Sequence, residues 1–471
     1  MIRTRFAPSP TGYMHVGNLR TALFSYLIAK KNNGKFILRI EDTDQKRFLN
    51  DSKDFIFKTL KQAGLKYDEG PDIGGEFGPY IQSERKEIYL YFADKLLKDK
   101  KAFYCFCKAN NKDKNICRCE ELDDNEINKK ILSRESYVIR QKIFCGTTKF
   151  VDLIYGEITI NNTELDKQIL IKSDGFATYN FANVIDDHLM KITHVVRGCE
   201  YLSSTPKYNL LYNFFNWEIP KYIHLPLILN NNGEKLSKRH GSVSFEDLIN
   251  QGFLPEAIIN YIAFLGWSPD DNTKELFYLN ELEKIFDIKK ISRSPAIFDI
   301  KKITWMNGQH IKKLPEEIFL NFSRKYLESK IDDKNIDIKK LAKFSQTRIN
   351  FINQAGELFD FLNKIKNYSI DLFKREKIKC DLYISNLVLK NSLEIFCIIE
   401  KEDWNEKNLK EKILKLIDKL NLKSRQVFWP IRVALSGQEN SPCGAIEIAE
   451  ILKKTETINR IKIAIDKINI K

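Results

Sequence analysis

At 471 residues, with 43% hydrophobic and 30% charged side chains, the chain exceeds what one hydrophobic core usually serves and should divide into several domains. No apolar run is long enough to span a bilayer, and Met1–Phe6 leads into a Pro/Gly turn rather than an apolar targeting core, so a cytoplasmic protein without a membrane partner is expected. The formal net charge of +14 favours polyanionic partners through counterion release, but a solvated basic surface accounts for it equally well, so motifs must decide.

Arg3–Phe6 reads as a strand, broken by Pro8-Ser9-Pro10-Thr11-Gly12, after which Leu19, Leu23, Tyr26 and Leu27 recur at helical spacing. Lys35–Ile40 is a second strand and ends in the acidic cluster Glu41-Asp42-Thr43-Asp44. Alternating strands and helices imply an α/β fold with a doubly wound, Rossmann-type parallel sheet, in which ligands gather at the carboxyl ends of strands. From about Phe103 to Ile171, Cys-rich and hairpin-like segments, Lys149–Ile160 among them, read as an insertion. The wound pattern resumes with the candidate strands Thr193–Arg197 and Ile223–Leu229, followed by polar loops that carry Glu200 and Lys235–Gly241. Beyond Phe245 the chain reads as almost wholly helical, with a domain boundary near residues 315–322.

His15-Val16-Gly17-Asn18 lies between the first strand and the first helix, where backbone donors and a helix N-terminus can hold phosphate. Lys235-Leu236-Ser237-Lys238-Arg239 follows the last sheet strand and gathers positive charge in a loop. His15, Lys235 and Lys238 are therefore candidates for stabilising charge that develops at a phosphorus centre. Of nine cysteines, four form two close pairs, Cys105/Cys107 and Cys117/Cys119. Four soft thiolates suit a closed, tetrahedral, structural zinc site rather than a catalytic one, and the scattered remainder suggests a reducing compartment.

Ala7–Arg20 resembles the first signature of class I glutamyl-tRNA synthetases of bacterial type, and Lys235–Arg239 resembles their second. Further similarities at Arg39–Asp44, Ser173–His188, Phe298–Asn307 and Leu435–Gly437 spread the resemblance over the whole chain. The family implies ATP-dependent ligation of L-glutamate to tRNA through an adenylate, with magnesium accompanying ATP. It assigns Arg5, Ser9, Glu41, Tyr179, Asn183 and Arg197 to glutamate, and Glu200 and Lys238, beside His15, Gly17, Asn18 and Lys235, to ATP. The substrate's own chemistry agrees: its ammonium needs a carboxylate such as Glu41, and its side-chain carboxylate needs guanidinium donors such as Arg5 and Arg197.

The resemblance divides the chain into 1–100 and 191–245, the two halves of the catalytic domain; 101–190, an inserted acceptor-end-binding subdomain; 246–321, a helical stem-contact domain; and 322–471, a helical anticodon-binding domain. Arg425, Trp429 and Arg432 form an aromatic and basic stretch in the last of these. A monomer is expected. Charging of tRNA(Gln) beside or instead of tRNA(Glu) stays open, while a non-catalytic RNA-binding descendant would be expected to have lost His15, Lys238 or the pocket arginines.

Overall fold

Strand β1 (Arg3–Phe6) is followed by the helix Val16–Lys31 and by β2 (Lys35–Leu38), which pairs with β1 in parallel from Arg3↔Lys35 to Phe6↔Leu38. The helix buries Leu19, Leu23, Leu27 and their neighbours against both strands. Its connection to β2 turns tightly: a Cβ at Gly34 would lie 2.2 Å from the Ile2 carbonyl, so only glycine fits where Lys35 donates to that same oxygen. The computed structural model describes residues 1–10, 12–43, 52–107, 117–236, 244–270 and 274–469.

After β2 come β3 (Ala102–Cys105), β4 (Val138–Gln141), β5 (Thr147–Asp152), β6 (Gly156–Asn161), β7 (Ile169–Ile171), β8 (His194–Gly198), β9 (Lys221–Leu225), β10 (Ile228–Leu229) and β11 (Ala296–Ile297). The main sheet has the order β2-β1-β8-β9-β5-β6, parallel except at the β5–β6 edge. The chain leaves β1 to one side for β2 and later returns to the other side at β8. The β1/β8 junction is thus a topological switch point, where a crevice opens beyond the carboxyl ends of the strands.

Two details differ from the sequence reading. The Thr147–Asn161 hairpin, read as part of the insertion, joins the main sheet through β9, with Asp152 opposite Tyr222. Its inward residues alternate with outward ones along β5, the pattern of a strand with one buried face. The run Ile223–Leu229, read as one strand, is split into β9 and β10 by Pro226, which has no amide hydrogen for the ladder. The small antiparallel sheet β3-β4-β7 is separate and carries Cys105 at the end of β3.

Contacts divide the chain into two units, Met1–Ile303 and Thr304–Lys471. The division falls within the helix Ile300–Lys313, upstream of the 315–322 boundary read from sequence, and no break in composition marks it. The second unit is helical, including Glu316–Glu328, Ile338–Gln346, Leu382–Ile398, Glu406–Leu420, Ser424–Ser436 and Ala445–Asn469. Buried Arg460 donates to the carbonyls of Phe361, Leu362 and Leu435 at 2.7–3.0 Å, which satisfies acceptors in the last turns of two helices.

Candidate functional site

Two strands and a turn meet at the switch point. β1 delivers Arg5, the turn after β2 delivers Arg39 and Glu41, and the end of β8 delivers Arg197. The helix Tyr179–Leu189 runs beside them and contributes Tyr179, Asn183, Asp186 and Asp187.

Arg39 is fully buried and sits 2.7 Å from Asp187, 3.2 Å from Glu41 and 3.7 Å from Asp186. Asp187 also accepts from Arg5 Nε at 3.1 Å, and Asp186 from Arg85, Gln82 and Tyr89 at 2.7–2.9 Å. Removing one member of such a network leaves the others charged and buried, a loss on the order of 3–5 kcal/mol. Burial opposes ionisation of Asp187, but Arg5 and Arg39 outweigh it and hold its carboxyl below the usual range. For Glu41 burial wins over the same two arginines and raises its carboxyl to about 7.

Arg197 is treated differently. Its Nε donates to His224 Nε2 at 3.0 Å and its Nη2 to the Thr205 hydroxyl at 2.8 Å. Its guanidinium carbon lies 4.8–5.4 Å from the ring centres of Tyr201, Tyr208 and Tyr222. Although only 5% exposed, it forms no ion pair among the described residues. Nη1 of Arg197 and Nη2 of Arg5 donate to no protein acceptor there either, and both residues line one cavity of about 660 Å³.

That cavity also gathers Ser9, His15, Gly17, Asn18, Glu41, Tyr179, Glu200 and Lys235. His15 is the N-cap of the helix Val16–Lys31: its Nδ1 accepts from the Gly17 amide at 3.1 Å, which leaves the proton of the neutral ring on Nε2. Asn183 stands one helical turn from Tyr179 and donates to its carbonyl at 2.8 Å. Lys235 is exposed at the entrance of the loop after β10. Lys238, with Ser237, Arg239, His240 and Gly241, lies outside the described residues, as do Thr11 and Asp44.

The sequence did not single out Asp187, Arg20, Thr205 or His224. A histidine inside an apolar strand, Ile223-His224-Leu225, is the one signal that was available, because a buried imidazole needs partners. Arg20 is buried with its guanidinium on the carbonyls of Pro226 and Leu265, and burial lowers its pKa to about 10.

Comparison with known proteins follows the same division of the chain. Residues 1–305 match the family model described as tRNA synthetases class I (E and Q), catalytic domain, and residues 317–465 match an anticodon binding domain. The glutamate–tRNA ligases of Clostridium acetobutylicum and Clostridium kluyveri are each 50% identical, over 99% and 100% of this chain and 99% and 98% of theirs. The chain belongs to the class I glutamyl- and glutaminyl-tRNA synthetases. A solved glutamate–tRNA ligase from Elizabethkingia meningosepticum, in complex with its amino acid, is similar over 99% of both chains at a TM-score of 0.88 and 33% identity. No helix of the described residues is long and apolar enough to cross a membrane.

Two further features of this synthetase involve residues other than those of the switch point. Cys105, Cys107, Cys117 and Cys119 bring their sulfurs within 4.8 Å of one another, with neighbouring pairs at 3.5–3.6 Å. Sulfurs on a tetrahedral zinc ion, each about 2.3 Å from the metal, lie at nearly this separation. The Phe106 amide donates to Cys119 Sγ at 3.4 Å. The cluster is therefore compatible with zinc. In the helical unit, Arg375, Arg425, Phe428, Trp429 and Arg432 line a cavity of about 600 Å³. Arg375 and Arg432 lie over the Trp429 ring at 3.9 and 4.8 Å.

Proposed function

We propose that the chain ligates L-glutamate to tRNA(Glu). One observation carries the reading of the substrate: a buried guanidinium, Arg197, faces a cavity with no carboxylate of the described residues to pair with it. An uncompensated buried charge is costly, so the cavity favours an anionic ligand. Arg5 supplies a second guanidinium beside it, and Glu41 supplies the carboxylate that an ammonium group requires. An amino acid with a charged side chain satisfies all three.

A carboxylate oxygen of bound glutamate attacks the α-phosphorus of ATP, and the bond to the β-phosphate breaks, giving glutamyl-adenylate and pyrophosphate. A hydroxyl of the terminal tRNA ribose then attacks the activated carbonyl and AMP leaves. Magnesium enters with ATP as a counter-ion of its phosphates. His15, at the start of the first helix, donates through Nε2 toward the phosphates, with the helix N-terminus behind it. Gly17, Asn18 and Glu200, which line the same cavity, contact the nucleotide, and Lys235 and Lys238 meet the charge that develops as pyrophosphate departs. Ser9 and Tyr179 enclose the amino acid, with Asn183, which is not among the cavity-lining residues, bonded to the Tyr179 carbonyl.

The four cysteines hold one structural zinc ion: a closed thiolate shell offers no open position for water. The helical unit reads the anticodon, and the Trp429 cavity offers what unpaired bases require, an aromatic face and guanidinium groups. The remaining lysines provide salt-sensitive phosphate contacts. The protein acts as a soluble monomer in the cytoplasm.

Aminoacylation of purified tRNA(Glu) and tRNA(Gln), side by side, tests the main reading; glutamate should be joined to tRNA(Glu) in an ATP-dependent reaction, and absence of that product refutes it. The pH profile tests Glu41. Below about 7 its carboxyl gains a proton and loses its attraction for ammonium, so the Michaelis constant for glutamate should rise as pH falls through this range, and Glu41→Gln should flatten the profile. Metal analysis should find one zinc per chain, removed by Cys117→Ser; four freely titratable thiols and no zinc would dispose of the knuckle. Finally, Arg432→Ala or Trp429→Ala should weaken charging by about 1–3 kcal/mol for each base left unstacked, with pyrophosphate exchange chemistry at bound ATP intact. Equal charging by these variants would detach this cavity from the anticodon.

A further inference from the structure

The Nε/Nη2 edge of Arg197 is held by two neutral acceptors, and one of them rests on a buried carboxylate. His224 is fully buried, and its Nδ1 lies 2.7 Å from Asp152 Oδ2, which also accepts from the His224 amide at 3.1 Å. Asp152 is 1% exposed, and its other oxygen accepts from the Ile154 and Tyr155 amides, each at 2.8 Å, in the turn of the β5–β6 hairpin. The carboxylate therefore takes four N–H donors and has no freedom to turn. It is delivered to this place by the register that sets Asp152 opposite Tyr222 on β9.

We propose that Asp152 and His224 are positioning residues that make Arg197 selective for a carboxylate; the proposal rests on the ligase reading above. Asp152 fixes the imidazole with its proton on Nδ1, so that Nε2 can only accept, and it accepts from Arg197 Nε. Thr205, whose hydroxyl donates to the Tyr201 carbonyl at 2.9 Å, is likewise turned into an acceptor for Nη2. Nη1 and the outer edge of the guanidinium are left directed at the cavity. The device also separates charge: the carboxylate stands one imidazole away from the guanidinium, so Arg197 is oriented without being neutralised and keeps its demand for an anion from the substrate. Burial, reinforced by the neighbouring Arg197, lowers the pKa of His224 and keeps it neutral against the pull of Asp152.

Conservative substitutions separate this role from simple support. In Asp152→Asn one oxygen of the carboxylate becomes an NH2 group. If the retained oxygen stays with the hairpin turn, the new donor faces His224 Nδ1; the ring then moves its proton to Nε2, and two donors meet at Arg197. His224→Asn keeps an atom near Nδ1 but provides nothing at Nε2, whereas His224→Gln reaches the Nε2 position with an oxygen that can accept.

Asp152→Asn and His224→Asn should raise the glutamate Michaelis constant about tenfold or more, the effect of losing one charge-assisted hydrogen bond. They should narrow the preference over glutamine by a similar factor, with the ATP Michaelis constant within about twofold of the parent, and His224→Gln should recover most of the loss. Folded variants with parental glutamate kinetics, equal shifts for ATP and glutamate, or a His224→Gln variant no better than His224→Asn would each overturn the proposal. A measurement on the unaltered protein does not depend on variants folding: with only six histidines, 15N-labelled imidazoles should show one with its proton on Nδ1 that persists above neutral pH. Assignment of the Nε2–H form to His224 also overturns the proposal. If the parent chain neither binds nor charges glutamate, the ligase reading itself fails, and this inference falls with it.

Discussion

A guanidinium that is buried and has no counter-ion among the described residues is the constraint around which the catalytic site is organised. Arg197 is 5% exposed and is held by an imidazole and a hydroxyl, not by a carboxylate. Charges removed from water in this way are tolerated where a function requires them, and they are normally compensated within the fold. The neighbouring arginines show that rule: Arg5, Arg39 and Arg85 all have carboxylates on them at 2.7–3.1 Å. Arg20 also lacks a carboxylate, but its guanidinium is bonded to the carbonyls of Pro226 and Leu265, so it is Arg197, with Nη1 left to the cavity, whose partner arrives with the substrate.

The fold makes that contrast possible by bringing distant segments to one switch point. Arg5 and Arg197 are neighbours because β1 and β8 pair in parallel, although most of the catalytic unit's sequence lies between them. The helix Tyr179–Leu189 presents Asp186 and Asp187 on one side of this junction, and Arg39 joins both to Glu41. The rigidity of the site follows from these shared bonds, since each carboxylate orients more than one donor. Glu41 is the exception, being held among the described residues by Arg39 alone at 3.2 Å, and its raised pKa reflects a burial that the arginines do not fully offset.

Much of this was legible in the sequence, because the described residues of the two signatures, His15 and Lys235 among them, follow strand ends. Short apolar runs locate β2, β8 and β9, and the glycine- and proline-rich turn marks the end of β1 and the start of the first helix. What was not legible depends on pairing across the sheet. Asp152 looks like one more acidic residue near a turn, and nothing local says that β5 lies beside β9. His224 shows only as a polar residue in an apolar strand. The unit division after Ile303 was hidden for a similar reason: a continuous helix, Ile300–Lys313, runs through it, and composition does not change. Lys238 remains a reading of sequence alone, since it lies outside the described residues.

Selection of an anionic side chain falls to Arg197. Calorimetric titration of the full-length protein with L-glutamate and with L-glutamine, repeated with Arg197→Gln, addresses it without relying on tRNA or on turnover. The unaltered protein should bind glutamate well and glutamine weakly, and Arg197→Gln should remove most of that difference by weakening glutamate. An undiminished preference for glutamate in the folded variant would contradict the account.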